Sequence, residues 1–107
     1  MRKEKIYEFA RGFFGKSKNC NAIARERVEK ALSKQFEDRK LKKRNARRLW
    51  IVQVNAGSRE LGLPYNKLIQ GLSQANIIVN RKVMADLAKN EPLSFRALVE
   101  VAKVFWA

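Results

Sequence analysis

Apolar residues recur at helical spacing along most of the chain, and the places where the recurrence stops define its elements. Over residues 3–14, Ile6, Phe9, Ala10 and Phe13 share one face, with Tyr7 and Phe14 beside them. Gly12 and Gly15 mark the end, so this stretch predicts a short helix closing in a turn. Residues 15–20 then read as a kink or loop from which Lys16 and Lys18 project. From Asn19 or Asn21, either of which suits an N-cap, a helical pattern runs to Leu61. Its first part carries only a narrow stripe, made of Ala24, Val28, Ala31, Leu32, Gln35 and Phe36. From Leu49 the stripe widens: Trp50, Val54, Gly57, Ser58 and Leu61 continue it, flanked by Ile51 and Val52. Gly62, Leu63 and Pro64 together predict the helix stop, with Gly62 at C′.

Three shorter helices are predicted beyond that stop. The first opens with Pro64 at N1 and presents Tyr65, Leu68, Ile69 and Leu72. Ile77, Ile78 and Val79 form a consecutive apolar run, expected to be an extended, buried connector. Asn80 caps the second helix, whose apolar positions are Val83, Met84, Leu87 and Ala88. Asn90-Glu91-Pro92 is a break, because a residue before proline resists the helical region. The last helix carries Phe95, Leu98, Val99, Ala102, Phe105 and Trp106. The expected architecture is all-α: a basic helical arm over 1–48, made of a short helix, a kink and a long helix, and a compact helical module over 49–107.

Charge sharpens this picture. Of 107 residues, 24 are Lys or Arg and 10 are acidic, so the formal charge is +14. That balance indicates a polyanionic partner, nucleic acid before an anionic membrane. The densest stretch is Arg39-Lys40-Leu41-Lys42-Lys43-Arg44-Asn45-Ala46-Arg47-Arg48, seven of whose ten residues are cations. At ~1.5 Å of rise per residue these charges are strung along roughly 15 Å, on nearly every face of a helix. Like charges so close repel one another, and a regular array of phosphates would relieve that repulsion. The arm's stripe is too thin for a membrane-surface helix, which needs a broad apolar face, and no apolar run approaches the ~20 residues that cross a bilayer.

Chemistry on a bound substrate finds no support. There is no histidine, so acid–base work near neutrality would need strongly shifted carboxylates or lysines. Glu37-Asp38 reads as an ion-pairing dipeptide. Cys20 is the only cysteine, which excludes an intrachain disulfide and leaves no metal-ligand set. No enzyme activity, cofactor, metal or small-molecule substrate is expected. The phenylalanines and tyrosine of 3–14 can pack against neighbouring helices or another protein, or stack on bases. Leu49 and Trp50 admit packing or stacking in the same way. A free helical DNA-binding or architectural protein is the alternative reading, though it would require a short recognition helix on a compact scaffold.

Lys43-x-x-x-Arg47-Arg48-Leu49-Trp50-Ile51-Val52-Gln53-Val54-Asn55-x-x-x-Arg59 resembles the signature of the bacterial-type large-subunit ribosomal protein L-twenty family. The likeness continues through Ala10-Arg11-Gly12-Phe13-x-Gly15, Val28-Glu29-Lys30-Ala31-Leu32, Asp38-Arg39, Gly62-Leu63, Tyr65 and Leu68-Ile69-x-Gly71-Leu72. It ends with Asn80-Arg81-Lys82-Val83-Met84-Ala85-Asp86-Leu87-Ala88, Phe95 and Leu98-Val99, so it covers essentially the whole chain. The resemblance implies a basic arm inside the large ribosomal subunit and a compact helical domain at its surface. It further implies binding to large-subunit rRNA beside neighbouring ribosomal proteins, a part in early subunit assembly, and no catalysis. Carried over by position, Arg39, Lys40, Lys42, Lys43, Arg44, Arg47 and Arg48 are the main expected rRNA contacts, followed by Arg11, Lys16, Lys18, Arg25 and Arg27. Arg81 and Lys82 either give the C-terminal module its own RNA surface or merely open a capped helix.

Two departures from the family stand out. Gln53 occupies a position where the family usually carries Arg, and the further basic stretch with which bacterial and chloroplast members usually begin is absent here, the sequence starting close to the first helix. That start, with Lys18-Asn19-Cys20 and Arg25-Glu26-Arg27-Val28-Glu29-Lys30, resembles the plant or algal mitochondrial form. The expected address is therefore the mitochondrial ribosome, with plastid or bacterial cytoplasm as alternatives. Residues 2–14 are a candidate internal targeting helix, although Glu4 and Glu8 are atypical of a presequence.

Overall fold

In the computed structural model, which describes residues 2–106, every regular element is helical. These are α1 (Lys3–Phe9), α2 (Lys16–Asn19), α3 (Asn21–Glu60), α4 (Tyr65–Gln74), α5 (Arg81–Asn90) and α6 (Pro92–Lys103), closed by a 3-10 turn over Val104–Trp106. The chain divides into two compact units, Met1–Lys42 and Lys43–Ala107. The division falls ahead of the boundary expected at residue 48. No described helix is long and apolar enough to cross a membrane.

In the first unit, Ile6 and Ala10 are buried against Ala24 and Val28, with Tyr7, Phe13 and Leu32 packed around them. This small core explains where the apolar stripe of α3 ends. Ala31 and Leu32 are half-buried, but Gln35 and Phe36, expected to continue the stripe, are exposed, because the buried contact with α1 stops short of them. Phe9 is also exposed, since the inward positions are taken by Ile6 and Ala10. Residues 16–19 form one helical turn rather than a loop, held by the Asn19 side-chain amide donating to the Gly15 carbonyl at 3.2 Å. The cap of α3 falls on neither asparagine. Cys20 holds the extended cap conformation, and its carbonyl accepts from the Ala24 amide at 2.7 Å.

The second unit is built around Val54, Leu63, Leu68, Leu72, Met84, Ala85, Phe95, Val99 and Ala102, with Trp50 packed partly against them. Helix α6 packs on both α4 and α5. The predicted stop at Gly62 is a Schellman turn: the Leu63 amide donates to the Ser58 carbonyl at 2.9 Å and the Gly62 amide to that of Arg59 at 3.0 Å. Gly62 has φ +90°, a left-handed value that suits glycine. The same arrangement recurs after α4 with Asn76 in glycine's place. Its φ is +59°, and the Ile77 amide reaches the Leu72 carbonyl at 3.0 Å.

Pro64 proves to be the N-cap of α4 rather than its first helical residue. Proline has no side-chain acceptor to offer the first amides of the helix, and α3 supplies one instead. Asn55 Oδ1 accepts from the Tyr65 amide at 3.2 Å and from Arg59 Nε at 2.9 Å. A remote cap of this kind should be as valuable as a local one, so Asn55→Ala is expected to cost ~1–2 kcal/mol. Thermal unfolding followed by circular dichroism should show Tm lower by roughly 5 °C, while an unchanged Tm would mean the contact contributes nothing.

The connector before α5 is extended but not buried throughout. Ile77 and Val79 are half-buried, whereas Ile78 is 98% exposed; successive side chains of an extended chain point to opposite sides, so one of the three must face out. Asn80 caps α5 as predicted, its Oδ1 accepting from the Val83 amide at 2.9 Å. Val83 itself is exposed, and Ala85 takes the inward position beside Met84. Pro92 opens α6 at the predicted break. Phe105 and Trp106 stay partly exposed, and the indole nitrogen donates to the Lys67 carbonyl at 3.0 Å.

Candidate nucleic-acid interface

The cations of α3 are all exposed. In the second unit, Lys43, Arg47, Trp50 and Val54 follow one another at spacings of four, three and four, and so lie along a single seam of the helix. Val54 is buried and Trp50 half-buried, whereas Arg47 and Lys43 are exposed. The seam thus changes from core to solvent within one turn, and the sequence changes from apolar to basic with it. Arg44 and Arg48, four residues apart, are exposed on an adjoining face of the helix.

In the first unit, Arg39, Lys40 and Lys42 are likewise exposed. Phe36 gathers two of them: Lys40 Nζ stands 4.6 Å and Arg39 Cζ 6.0 Å from its ring centroid. These distances suit a cation over an aromatic face, which keeps the long side chains near one another on an open surface. Arg39 and Lys42 also line a shallow cleft with Gln35 and Asp38.

The second tier of candidates is more dispersed. Arg11 is exposed in the turn after α1, Lys16 and Lys18 are exposed on α2, and Arg25 and Arg27 are exposed on α3. Arg27 joins Lys30 and Lys34 along a groove whose other side is Phe13 and Phe14. Sequence reasoning did not single out Lys30 or Lys34. The fold of residues 10–15 brings aromatic rings beside them.

Arg81 and Lys82 differ from each other. Lys82 is exposed, but Arg81 is half-buried and donates from Nε to the Tyr65 hydroxyl at 2.6 Å, which ties the start of α5 to α4. Its guanidinium is thus a structural strut, whatever else it touches. Gln53 is half-buried and its Oε1 is enclosed without a hydrogen-bond partner among the described residues.

No group of three His, Cys, Asp or Glu side chains is gathered as a metal site among the described residues. The arrangement offers exposed cations on a helical support, suited to neutralising phosphates along a polyanion.

Comparison with known proteins agrees with this geometry. The family model described as ribosomal protein L20 matches residues 1–98. A large ribosomal subunit protein bL20 from Rhodospirillum centenum is 50% identical over 102 residues, covering 95% of this chain and 86% of that protein. The protein of the same name from Ehrlichia canis is 48% identical over 102 residues, covering 95% of this chain and 82% of that protein. That from Bacteroides fragilis is 50% identical over 103 residues, with 96% and 89% covered.

Proposed function

The chain belongs to the ribosomal protein L20 family, and from that premise we infer that it is a structural, non-catalytic constituent of the large ribosomal subunit. It binds large-subunit rRNA, associates with neighbouring ribosomal proteins and supports subunit assembly. The observation that carries the mechanism is the exposed run of cations from Arg39 to Arg48 on an unbroken helix.

In this reading residues 1–48 are the RNA-binding arm and 49–107 the module at its end. Arg39, Lys40, Lys42, Lys43, Arg44, Arg47 and Arg48 neutralise rRNA phosphates, and the arginines grip them bidentately. Arg11, Lys16, Lys18, Arg25 and Arg27 extend the contact, and Arg81 and Lys82 add to it from α5. No base readout is required: rRNA folded around such a helix is recognised by its backbone and shape. Binding releases counterions, so affinity outside the particle weakens steeply with salt.

The address we propose is the large subunit of a mitochondrial ribosome, supported by the local likeness at Lys18-Asn19-Cys20 and at residues 25–30. The relatives named above are bacterial, which keeps bacterial cytoplasm, with plastid, as the alternative. Sedimentation of a tagged copy from isolated mitochondria and from whole-cell lysate tests both levels. Co-migration with the large subunit in the mitochondrial gradient is the expected outcome. Co-migration only with another compartment's large subunit would retain the function and correct the address. A slow-sedimenting pool free of ribosomal particles would refute the function and favour the free DNA-binding alternative.

A further inference from the structure

Phe14 is 94% exposed. A single exposed apolar side chain needs no explanation; what sets Phe14 apart is its surroundings. It lies between two glycines held at positive φ, Gly12 at +87° and Gly15 at +57°. A Cβ at either would meet nothing within 4 Å, so these glycines serve the backbone path rather than packing. That path turns Phe13 toward the small core and Phe14 out to solvent. Together the two rings form one side of an open groove of about 550 Å³. The other side is Arg27, Lys30 and Lys34, spaced three and four apart and therefore on one face of α3. None of the lining residues is acidic.

An exposed aromatic face opposite three cations has the two things a single-stranded nucleotide requires, a stacking platform and neutralisation of its phosphates. Duplex RNA would use the cations and leave the ring idle, because its bases are already stacked. We propose that this groove takes one unstacked nucleotide of large-subunit rRNA, its base lying on the Phe14 ring and its flanking phosphates held by Arg27, Lys30 and Lys34. The proposal rests on the rRNA-binding reading above and adds to it a base-contacting residue that charge alone does not reveal. The occupant competing for the same groove is an acidic segment of a neighbouring protein, which would use the cations but treat Phe14 as mere apolar surface.

The experiment uses the full chain and protein-free large-subunit rRNA, with affinity measured by filter binding across a salt series and base reactivity mapped by chemical probing. Phe14→Ala should weaken binding roughly tenfold with an unchanged salt slope, and should expose one nucleotide that the unaltered chain protects. Phe14→Trp should restore both, and Phe14→Leu should behave as Phe14→Ala. Lys30→Ala combined with Lys34→Ala should lower the salt slope by ~1.4, at ~0.7 per single-strand phosphate contact. Phe14 is nearly fully exposed, so circular dichroism should be the same for all three of its variants. Full affinity in Phe14→Ala, or in Phe14→Leu, would overturn the nucleotide site while leaving rRNA binding intact. An unaltered chain without affinity for the rRNA would overturn the underlying reading, and the nucleotide site with it.

Discussion

Replacing Lys43, Arg44, Arg47 and Arg48 together with glutamate should exclude the chain from large-subunit particles. All four side chains are exposed, and glutamate is as good a helix former as lysine or arginine, so the helix itself should persist. Trp50 and Val54 mark where the core begins on this seam, and the substitutions stop short of both. What changes is the field: four attractive charges become four repulsive ones within two turns of helix. Losing four phosphate contacts alone removes ~3 from the slope of log affinity against log salt, and the reversed charges repel phosphate further. Gradient fractions probed for the variant should show it only at the top, with circular dichroism matching that of the unaltered chain. Arg44→Glu alone should still incorporate, because the remaining contacts hold the helix in place. Normal incorporation of the fourfold variant would refute the assignment of these residues as the rRNA contact.

Gly71→Ala should destabilise the C-terminal module by about 2 kcal/mol, and the sign needs argument because alanine is the better helix former. Exchanging glycine for alanine inside a helix gains ~1 kcal/mol where there is room. At Gly71 there is none: a Cβ would stand 2.7 Å from the Ala102 carbonyl oxygen and 2.9 Å from its Cβ. The obstacle is backbone of α6, which moves only if the helix moves. Overpacking of this kind costs ~1–3 kcal/mol, and a contact with rigid backbone belongs at or beyond the upper end. The net loss corresponds to a Tm lower by ~10 °C. Gly57→Ala is the internal comparison. Its Cβ would meet Phe95 Cε1 at 3.0 Å and Ala88 Cβ at 3.4 Å, and an aromatic ring can shift by the few tenths of an ångström required. The propensity gain there offsets the crowding, so its Tm should stay close to that of the unaltered chain. Equal melting of the two alanine variants would show that α4 and α6 have more slack than the structure indicates.

The features legible in the sequence are those encoded within a few residues. Asn80 and the amide three positions on, Gly62 followed by Leu63 and Pro64, and Pro92 after Asn90-Glu91 each state a local geometry, and α3 to α6 begin and end close to where those signals lie. The readings that failed depended on distant chain. Phe36 fitted the stripe of α3, but its exposure was decided by how far the contact with α1 extends. Pro64 and Tyr65 looked like an ordinary helix start, and the acceptor that completes it comes from Asn55. Nothing around Gly71 announces that Ala102 lies against it.

The candidate site divides in the same way. The exposed charge from Arg39 to Arg48 could be read directly, since consecutive charge on an unbroken helix needs no partner to define it. Lys30 and Lys34 could not, because their relation to Phe14 exists only after residues 10–15 have turned. Arg81 adds a tie that its charge alone does not announce, the hydrogen bond from Nε to the Tyr65 hydroxyl.

The corner between α3 and α4 bears on how the chain reaches this structure. Its ties are all short in sequence: the Schellman turn at Gly62 closes within a single helical turn, and Asn55 reaches only to Tyr65. The approach of Gly71 to Ala102 joins segments much farther apart. Loop-closure entropy rises with span, and contacts near in sequence are kinetically the most accessible. In a chain emerging residue by residue from synthesis, the corner has all its partners before any of α6 exists. The corner is therefore expected to form first, with the last helix closing onto it afterwards.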